Sequence, residues 1–267
     1  MCAGSGGADS LALLVLATEA GCEVTAIHVD HGLRPGSHHE AAVVAEAAAR
    51  FGARFVSERV KVAAGPNLEA RARAARYGVL PPDAHTGHTA DDQAETVLLN
   101  LLRGAGLDGL AGYAPQRRPL RLLRRHETRA LCVAVGLQPV EDPTNDDPAF
   151  RRNRVRHELL PLLDDIAERD VAPVLARQAD ILRADAALLN SLAGEVDPTD
   201  ASALAAAPEP LARRAIRGWL RAGDERHPPD AATVARVLGV ARGDAVACDV
   251  GGGRSVRRSR GRLTLQD

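Results

Sequence analysis

The sequence predicts an α/β fold: a doubly wound, mainly parallel sheet, followed by a second, mainly helical domain. A glycine-rich turn at residues 4–10 leads directly into an apolar run that begins at Leu11. Apolar strand-like segments then alternate with helical segments, as in parallel sheets with crossover helices. Beyond Glu168 helical patterns dominate. These observations predict domains at residues 1–163 and 164–267.

Composition limits the possible classes of protein. The formal net charge is -1, so any nucleic-acid binding has to come from local basic patches. The four cysteines are isolated, with no Cys-x-x-Cys pair for a metal or redox centre. No apolar run approaches the ~20 residues of a membrane span. We therefore expect a cytoplasmic protein with reduced thiols and no membrane partner.

The glycine-rich turn is the first candidate site, and its residues are Ser5, Gly6, Gly7, Ala8, Asp9 and Ser10. Glycines let backbone amides approach a ligand, and a helix N-terminus favours an anion, so the turn predicts a phosphate or pyrophosphate cradle. Asp9 is then placed to hold Mg²⁺ beside the phosphates. The alternative is a tight turn with a serine helix cap.

Two other phosphate motifs are not supported. A Walker A loop requires a lysine, and the only lysine is Lys61, outside any such setting. Residues 104–109 match Gly-x-Gly-x-x-Gly, but they follow a helical pattern where the dinucleotide fingerprint requires a strand. The N-terminus is also unusual, because only Met1 to Gly4 precede the turn. Either the start lies upstream or a structural first strand is missing, and we expect an upstream start in the same frame.

The next segments predict elements around the turn. Residues 23–29 form a β-rich run, and Asp30 and His31 follow it at the edge where such sheets bind ligands. Polar loop residues without a function are an equally common alternative. Ser37 and Glu40 form a capping box for a helix that stops at Gly52. Residues 54–60 predict another strand, and a helix capped by Asn67 and ending at Tyr77 follows.

A second candidate site lies at residues 85–96, where a short strand is predicted to end near His88 and a helix to begin around Asp91. Asp91, Asp92 and Glu95 then cluster on one surface near the helix start. Acidic residues in a first turn also simply complement the helix dipole, which is an equal alternative for Asp91. A zinc site at His85 and His88 is disfavoured, because no third soft ligand is nearby.

Arginines are concentrated in two stretches, residues 103–129 and 151–156. Their rigid fork of donors suits phosphate, so they predict nucleic-acid contacts, whereas the alternative is a solvated basic face. In the second domain we expect helices at 170–196, 209–222 and 231–240, then small strands within 245–265.

Taken together, these segments resemble the tRNA(Ile)-lysidine synthases, a family of the N-type ATP pyrophosphatases. The matching segments are residues 5–10, Ile27 to Arg34, Asn67 to Arg73 with Arg76 and Tyr77, His88 to Thr96, Leu102 to Leu107, Glu141 to Asn145, and Arg152 to Arg156. They lie in the family's order over about residues 4 to 163. The helical remainder fits the family's tRNA-binding domain less specifically.

The resemblance implies an adenine nucleotide alpha hydrolase-like fold and a two-step ligase reaction. ATP would adenylate the C2 oxygen of the wobble cytidine in a tRNA(Ile) with a CAU anticodon, releasing pyrophosphate. Free L-lysine would then displace AMP to form lysidine. The substrates and cofactor implied are thus ATP, L-lysine, this tRNA and Mg²⁺, while a homodimer and the number of metal ions are left open.

The resemblance also implies roles for particular residues. The phosphates would bind at residues 5–10 and the metal at Asp9. The catalytic set would be Asp9, Asp30, His88 and Arg154. Lysine would bind at Asp92, Glu95 and Arg156. The tRNA would contact Arg103, Arg124, Arg125 and Arg152.

Three rival functions fit the sequence less well, and a truncated, inactive copy is a further alternative. A sister thiolase that places sulfur on a tRNA base generally needs dedicated cysteines, and none of the four here lies in a motif. Asparagine or GMP synthetase activity would need a glutaminase domain or an ammonia supply. A nucleotide-binding module without catalysis would require neither the acidic cluster nor the run at residues 151–156.

Overall fold

In the computed structural model the described residues are 1–30, 32, 37–62, 65, 68–221 and 229–266. They form two compact units, Met1–Leu182 and Arg183–Asp267. The domain boundary predicted near residue 163 stays a prediction, since this division falls within a long helix, Ala172–Gly194. The predicted roles of His31 and Asn67 lie outside the described residues.

The first unit has a parallel sheet of three described strands with helices connecting them. The strands are β1 (Cys2–Gly4), β2 (Thr25–Asp30) and β3 (Arg54–Arg59). The helices are α1 (Ala8–Glu19), α2 (Ser37–Arg50), α3 (Leu68–Val79), α4 (Ala90–Leu102), α5 (Leu107–Leu110), α6 (Arg125–Ala134), α7 (Arg151–Arg154) and α8 (Leu160–Ala167), and α9 (Ala172–Gly194) continues into the second unit. A π-helical turn, Val155–Leu159, joins α7 to α8. The α/β class is confirmed.

The sheet has the order β1-β2-β3, and Gly4 is the register partner of His28. The possibility of a missing first strand is wrong, because Cys2–Gly4 fills that place: β1 pairs with β2 on one side, and Ala3 N donates to His85 O at 2.8 Å on the other. The predicted strand ending near His88 is also wrong. It is a single bridge at His85, because Thr86 N instead donates to Arg117 O at 2.8 Å.

The core of this unit lies where α1 packs between neighbouring helices and the sheet. Leu11 and Leu14 are 1% and 2% exposed, and they pack with Val44 of α2 and Cys132 of α6. Helix α6 was not anticipated, although Thr128, Leu131, Cys132 and Val135 have helical spacing. This helix matters because it faces the candidate site.

The second unit combines helices with an antiparallel sheet. Its later elements are α10 (Ala201–Ala206), α11 (Glu209–Arg221), α12 (Ala231–Arg242), β4 (Ala247–Gly251), β5 (Arg254–Ser259) and β6 (Arg262–Gln266), with strand order β4-β5-β6. Leu204, Ile216, Val237 and Leu263 are almost fully buried in its core. Helix α10 was not predicted, although its start carries a signal: Asp200 accepts hydrogen bonds from the amides of two α10 residues. None of the described helices is both long and apolar enough to cross a membrane.

Candidate active site

A cavity of about 340 Å³ lies beside the phosphate-type turn. Its walls come from the turn, from β1 and β2, from residues 86–88 and from α4, and it is lined by Ala3, Gly4, Ser5, Gly7, Asp9, Ser10, Ile27, His28, Val29, Glu40, Arg76, Thr86, Gly87, His88, Asp92, Val140, Asp142 and Asn145. Ligands of open parallel sheets bind at the carboxyl ends of strands. The turn and the acidic motif predicted separately from the sequence therefore share one cavity.

Side chains within the turn hold its shape. Ser10 Oγ donates to Gly7 O at 2.9 Å and accepts from Ser5 N at 3.1 Å. Gly6 has a φ of 78°, a conformation that favours glycine, and its carbonyl accepts a hydrogen bond from Val140 N at 2.9 Å. Gly7 precedes the first residue of α1. The turn thus presents a helix N-terminus to the cavity, as an anion site requires.

Gly87 brings the acidic motif against the turn. A Cβ at this position would collide with the carbonyl oxygen of Asp9. Only a residue without a side chain allows so close an approach of two backbones. The contact sets His88 and Asp9 in the wall of the same cavity.

Asp9 lies between the cavity and α6. Thr128 Oγ1 donates to its carboxylate, and Arg125 Nε lies 3.7 Å from Asp9 Oδ2. Burial raises the pKa of Asp9, and the hydrogen bond from Thr128 offsets this only in part. Mg²⁺ commonly binds one or two carboxylates together with substrate phosphates. A carboxylate that lines the cavity next to a phosphate-type turn fits that donor set.

Glu95 is the centre of a buried ionic network. Its side chain is 0% exposed, yet three arginines bind it. Arg125 Nη1 donates at 3.1 Å, Arg152 Nε at 2.6 Å and Arg156 Nε at 2.7 Å. A buried carboxylate needs such partners, because an unpaired charge is very costly away from water. The structure therefore gives Glu95 an internal role that the sequence did not predict.

Asp92 belongs to the same network but also lines the cavity. It accepts from Arg125 Nη2 at 3.2 Å, from Arg152 Nη2 at 3.0 Å and from Thr89 N at 2.9 Å. Burial opposes its ionisation, but the charges of Arg125 and Arg152 outweigh burial and lower the pKa of Asp92 to about 2. Asp92 is therefore ionised at neutral pH.

Asp91 is directed to α6. It accepts from Arg124 Nη2 at 2.9 Å and from Arg125 N at 2.7 Å. Burial opposes its ionisation, and the hydrogen bonds from Arg124 and Arg125 nevertheless keep its pKa below the usual value. Together, Asp9, Asp91, Asp92 and Glu95 face Arg124, Arg125, Arg152 and Arg156. The expected open acidic surface is thus a charge-matched network.

His88 is oriented by its neighbours. Its Nδ1 lies 2.7 Å from Thr86 Oγ1, and its ring centroid lies 4.8 Å from that of Tyr113. Arg152 Nη1 donates to the hydroxyl of Tyr113 at 3.2 Å. Tyr113 therefore links His88 to the ionic network, and no sequence pattern had singled it out.

The predicted site residues separate into three groups. The first consists of cavity residues: Ser5, Gly7, Asp9, Ser10, His88 and Asp92, with Gly6 and Ala8 in the same turn. The second is the ionic network behind the cavity: Glu95, Arg124, Arg125, Arg152 and Arg156. The third, Asp30, Arg103 and Arg154, does not line this cavity.

Each member of the third group has a visible local reason for its position. Asp30 Oδ1 accepts from Gly32 N at 2.8 Å. Arg154 is 62% exposed and pairs with Glu158, at 2.7 Å, on the same helical surface. Arg103 follows the last turn of α4 and borders a separate groove. The structure thus puts Arg125 and Arg152, rather than Arg154, behind the cavity.

Several cavity residues were missed from the sequence. Asp142 and Asn145 belong to a segment that resembles the family but was given no role, and both line the cavity. Asp142 Oδ1 accepts from Thr144 N at 3.0 Å, which starts the short 3-10 turn Pro143–Asp146. Thr128, which holds the Asp9 carboxylate without lining the cavity, was also missed because helix α6 was not recognised.

Comparison with known proteins gives matches for both parts of the chain. A family model for a PP-loop domain matches residues 1–163, and a model for a TilS substrate binding domain matches residues 200–264. The fold and the turn thus define a protein with a PP-loop domain. A tRNA(Ile)-lysidine synthase from Nocardia farcinica is 43% identical over 285 residues, covering 98% of this chain and 90% of that protein. The chain belongs to the tRNA(Ile)-lysidine synthase family.

Other relatives support the same assignment. The synthase of Rhodococcus erythropolis is 47% identical and covers 82% of this chain and 73% of its own length. The synthase of Mycobacterium tuberculosis is 43% identical, and the match covers 82% of this chain and 74% of that protein. Among solved structures, a U34-tRNA thiolase from Methanococcus maripaludis with its [4Fe-4S] cluster has a TM-score of 0.56 at 17% identity, covering 68% of this chain and 71% of that one. The last likeness shows the fold alone.

Proposed function

We propose that this protein ligates L-lysine to C2 of the wobble cytidine in the CAU anticodon of tRNA(Ile), using ATP. The observation that supports this most is the shared cavity: the phosphate-type turn, His88 and Asp92 all line it. The first half-reaction needs a turn that binds the triphosphate, and the second needs a carboxylate that binds a cationic amine. Both groups have to lie in one site.

In the first half-reaction the C2 oxygen of cytidine attacks the α-phosphorus of ATP. A new oxygen–phosphorus bond forms, the bond to the β-phosphate breaks, and pyrophosphate leaves. The backbone amides of residues 5–10 bind the β- and γ-phosphates. Asp9 would hold a Mg²⁺ ion, which would supply positive charge against the departing pyrophosphate. Thr128 and Arg125 orient the Asp9 carboxylate.

In the second half-reaction the ε-amine of lysine attacks C2. A carbon–nitrogen bond forms, the carbon–oxygen bond breaks, AMP leaves with that oxygen, and the protons that the attacking nitrogen loses pass to solvent water. We place the amine at Asp92, because this carboxylate lines the cavity and is ionised. Glu95 and Arg156 support the lysine site from behind, since Glu95 fixes Arg125, Arg152 and Arg156.

The remaining predicted residues keep more distant roles. His88 lies in the cavity wall beside Asp92, where it can contact the adenylated base. Asp30 and Arg154 would take part in catalysis only if the bound tRNA brought their side chains to the cavity. Arg103 is exposed and free to meet tRNA phosphate, whereas Arg124, Arg125 and Arg152 are paired with carboxylates. A homodimer and the cytoplasmic location stay predictions.

Sulfur transfer is the rival, because a thiolase shares the fold. A thiolate-bound cluster needs several cysteines together. In the described part of the chain no three His, Cys, Asp or Glu side chains are grouped to hold a metal ion. Lysine ligation fits the ionic cavity better.

The experiment is a lysine-incorporation assay. Purified protein, ATP, Mg²⁺ and radiolabelled lysine are mixed with unmodified tRNA(Ile) bearing CAU, and tRNA(Met) serves as the control substrate. We expect the wild type to incorporate label only into tRNA(Ile). Asp9→Ala should no longer release pyrophosphate. Asp92→Ala should still adenylate the tRNA but need a higher lysine concentration. Asp83→Ala, at an exposed position, is the matched control. Normal lysine dependence in Asp92→Ala would contradict its role, and absence of label with active tRNA would contradict the proposed function.

A further inference from the structure

His28 is a buried polar residue in the cavity wall that the reaction outlined above does not use. It lies on β2, is 2% exposed and lines the cavity. Its Nδ1 lies 3.0 Å from the carbonyl oxygen of Gly4, its register partner on β1. Its Nε2 is buried and has no hydrogen-bond partner among the residues that the structure describes. Buried polar atoms are rarely left unpaired in native proteins, so this atom calls for an explanation.

The Gly4 contact decides which ring nitrogen carries the hydrogen. A carbonyl oxygen can only accept, so Nδ1 is the donor. In a neutral imidazole this leaves a lone pair on Nε2, which makes Nε2 an acceptor. The missing partner is therefore an N–H or O–H group.

The phosphates of ATP cannot supply that partner, since ionised phosphate oxygens only accept. The adenosine part carries three suitable groups: the 6-amino group and the two ribose hydroxyls. His28 pairs with Gly4, the residue directly before the phosphate turn, so its ring lies beside the site proposed for the phosphates, to which the adenosine part is joined. A lysine amine is also a donor, but its proposed carboxylates lie on α4.

We infer that His28 Nε2 accepts a hydrogen bond from the adenosine part of ATP and so contributes to nucleotide selection. This rests on the use of ATP in the proposed function. Nε2 is closed to solvent in this structure, so the proposed hydrogen bond requires a small shift of the ring. Loss of one neutral hydrogen bond should weaken binding about tenfold.

The test measures nucleotide binding by calorimetry on the full chain with Mg²⁺. The ligands are ATP and three analogues, each lacking one donor: purine riboside triphosphate, 2′-deoxy-ATP and 3′-deoxy-ATP. In the wild type we expect one analogue to bind about tenfold more weakly than ATP. If all three bind as well as ATP, the inference is overturned without any variant.

The variant His28→Asn places an amide where Nδ1 was and removes Nε2, so it can keep the Gly4 contact. We expect it to bind ATP about tenfold more weakly and to lose discrimination against the one analogue. His126→Asn, at an exposed position on α6, is the control. The ratio of the dissociation constants of ATP and an analogue, measured in one variant, does not change if part of that protein is unfolded.

Two results would overturn the inference: His28→Asn binding ATP like the control, or keeping the wild-type discrimination. These outcomes leave the proposed function intact. Failure of the wild type to bind ATP would overturn both.

Discussion

The substitution Glu95→Gln tests whether the ionic network stabilises the first unit. The carboxylate is 0% exposed and receives charge-assisted hydrogen bonds from Arg125, Arg152 and Arg156, whose side chains are 18%, 26% and 20% exposed. Glutamine keeps the shape and one acceptor oxygen but removes the charge. Three guanidinium groups then lose their shared counterion while staying largely buried.

The expected cost follows from the number and burial of these contacts. A hydrogen bond to a charged group contributes about 1.5–3 kcal/mol, and the three contributions are not additive because they share one carboxylate. Removing one member of a buried pair typically costs about 3–5 kcal/mol. We expect Glu95→Gln to destabilise the first unit by an amount in that range.

The assay is urea unfolding followed by two probes. The only tryptophan, Trp219, lies in the second unit, so its fluorescence follows that unit, whereas far-UV circular dichroism follows both. The circular-dichroism transition should shift to lower urea while the fluorescence transition changes little. Glu158→Gln is the matched control, because its pair with Arg154 is exposed. Equal effects of the two substitutions would refute the reasoning.

Three further predictions concern the cavity. Asp92 has a pKa lowered from 3.8 to about 2, so its stabilising contribution, about 2 kcal/mol, is complete above pH 4 and is lost as the pH falls towards 2. Acid unfolding of Asp92→Asn should therefore show a weaker pH dependence over that window, and an unchanged profile would contradict the assignment. Asp9 has the opposite shift, since burial raises its pKa. The folded state resists ionisation of this group, so stability falls as the pH rises above the ordinary pKa of 3.8 and the loss is complete above the raised pKa. Asp9→Asn should therefore be more stable than the wild type at pH 7, while pyrophosphate release is abolished. A lower melting temperature would argue against this. Finally, Gly87→Ala should collide with the Asp9 carbonyl and weaken ATP binding at least tenfold, or about 1.4 kcal/mol. Gly78→Ala, which meets nothing within 4 Å, should bind ATP normally and gain up to about 1 kcal/mol of stability; similar ATP binding by both variants would count against the close packing.

Local sequence determined the elements whose signals are short-range. The phosphate-type turn, the buried strand β2 and the helix that begins beside Asp91 were all predictable, because glycine conformation, β-branched runs and capping depend on a few neighbouring residues. The family could be recognised from the same motifs. The α/β class followed from their alternation.

Tertiary structure alone decided how those motifs are used. Glu95 and Arg156 are 61 positions apart, and Thr128 and Asp9 are 119 apart. No local pattern reports which arginine neutralises which carboxylate, so the acidic cluster and the basic stretches looked like two separate surfaces. In the folded protein the carboxylates and the arginines are buried together, because charges removed from water must be paired. The sequence therefore determined which chemical groups this protein has. Only the packing of α4, α6, α7 and the π-helical turn after α7 decided which of these groups face the cavity.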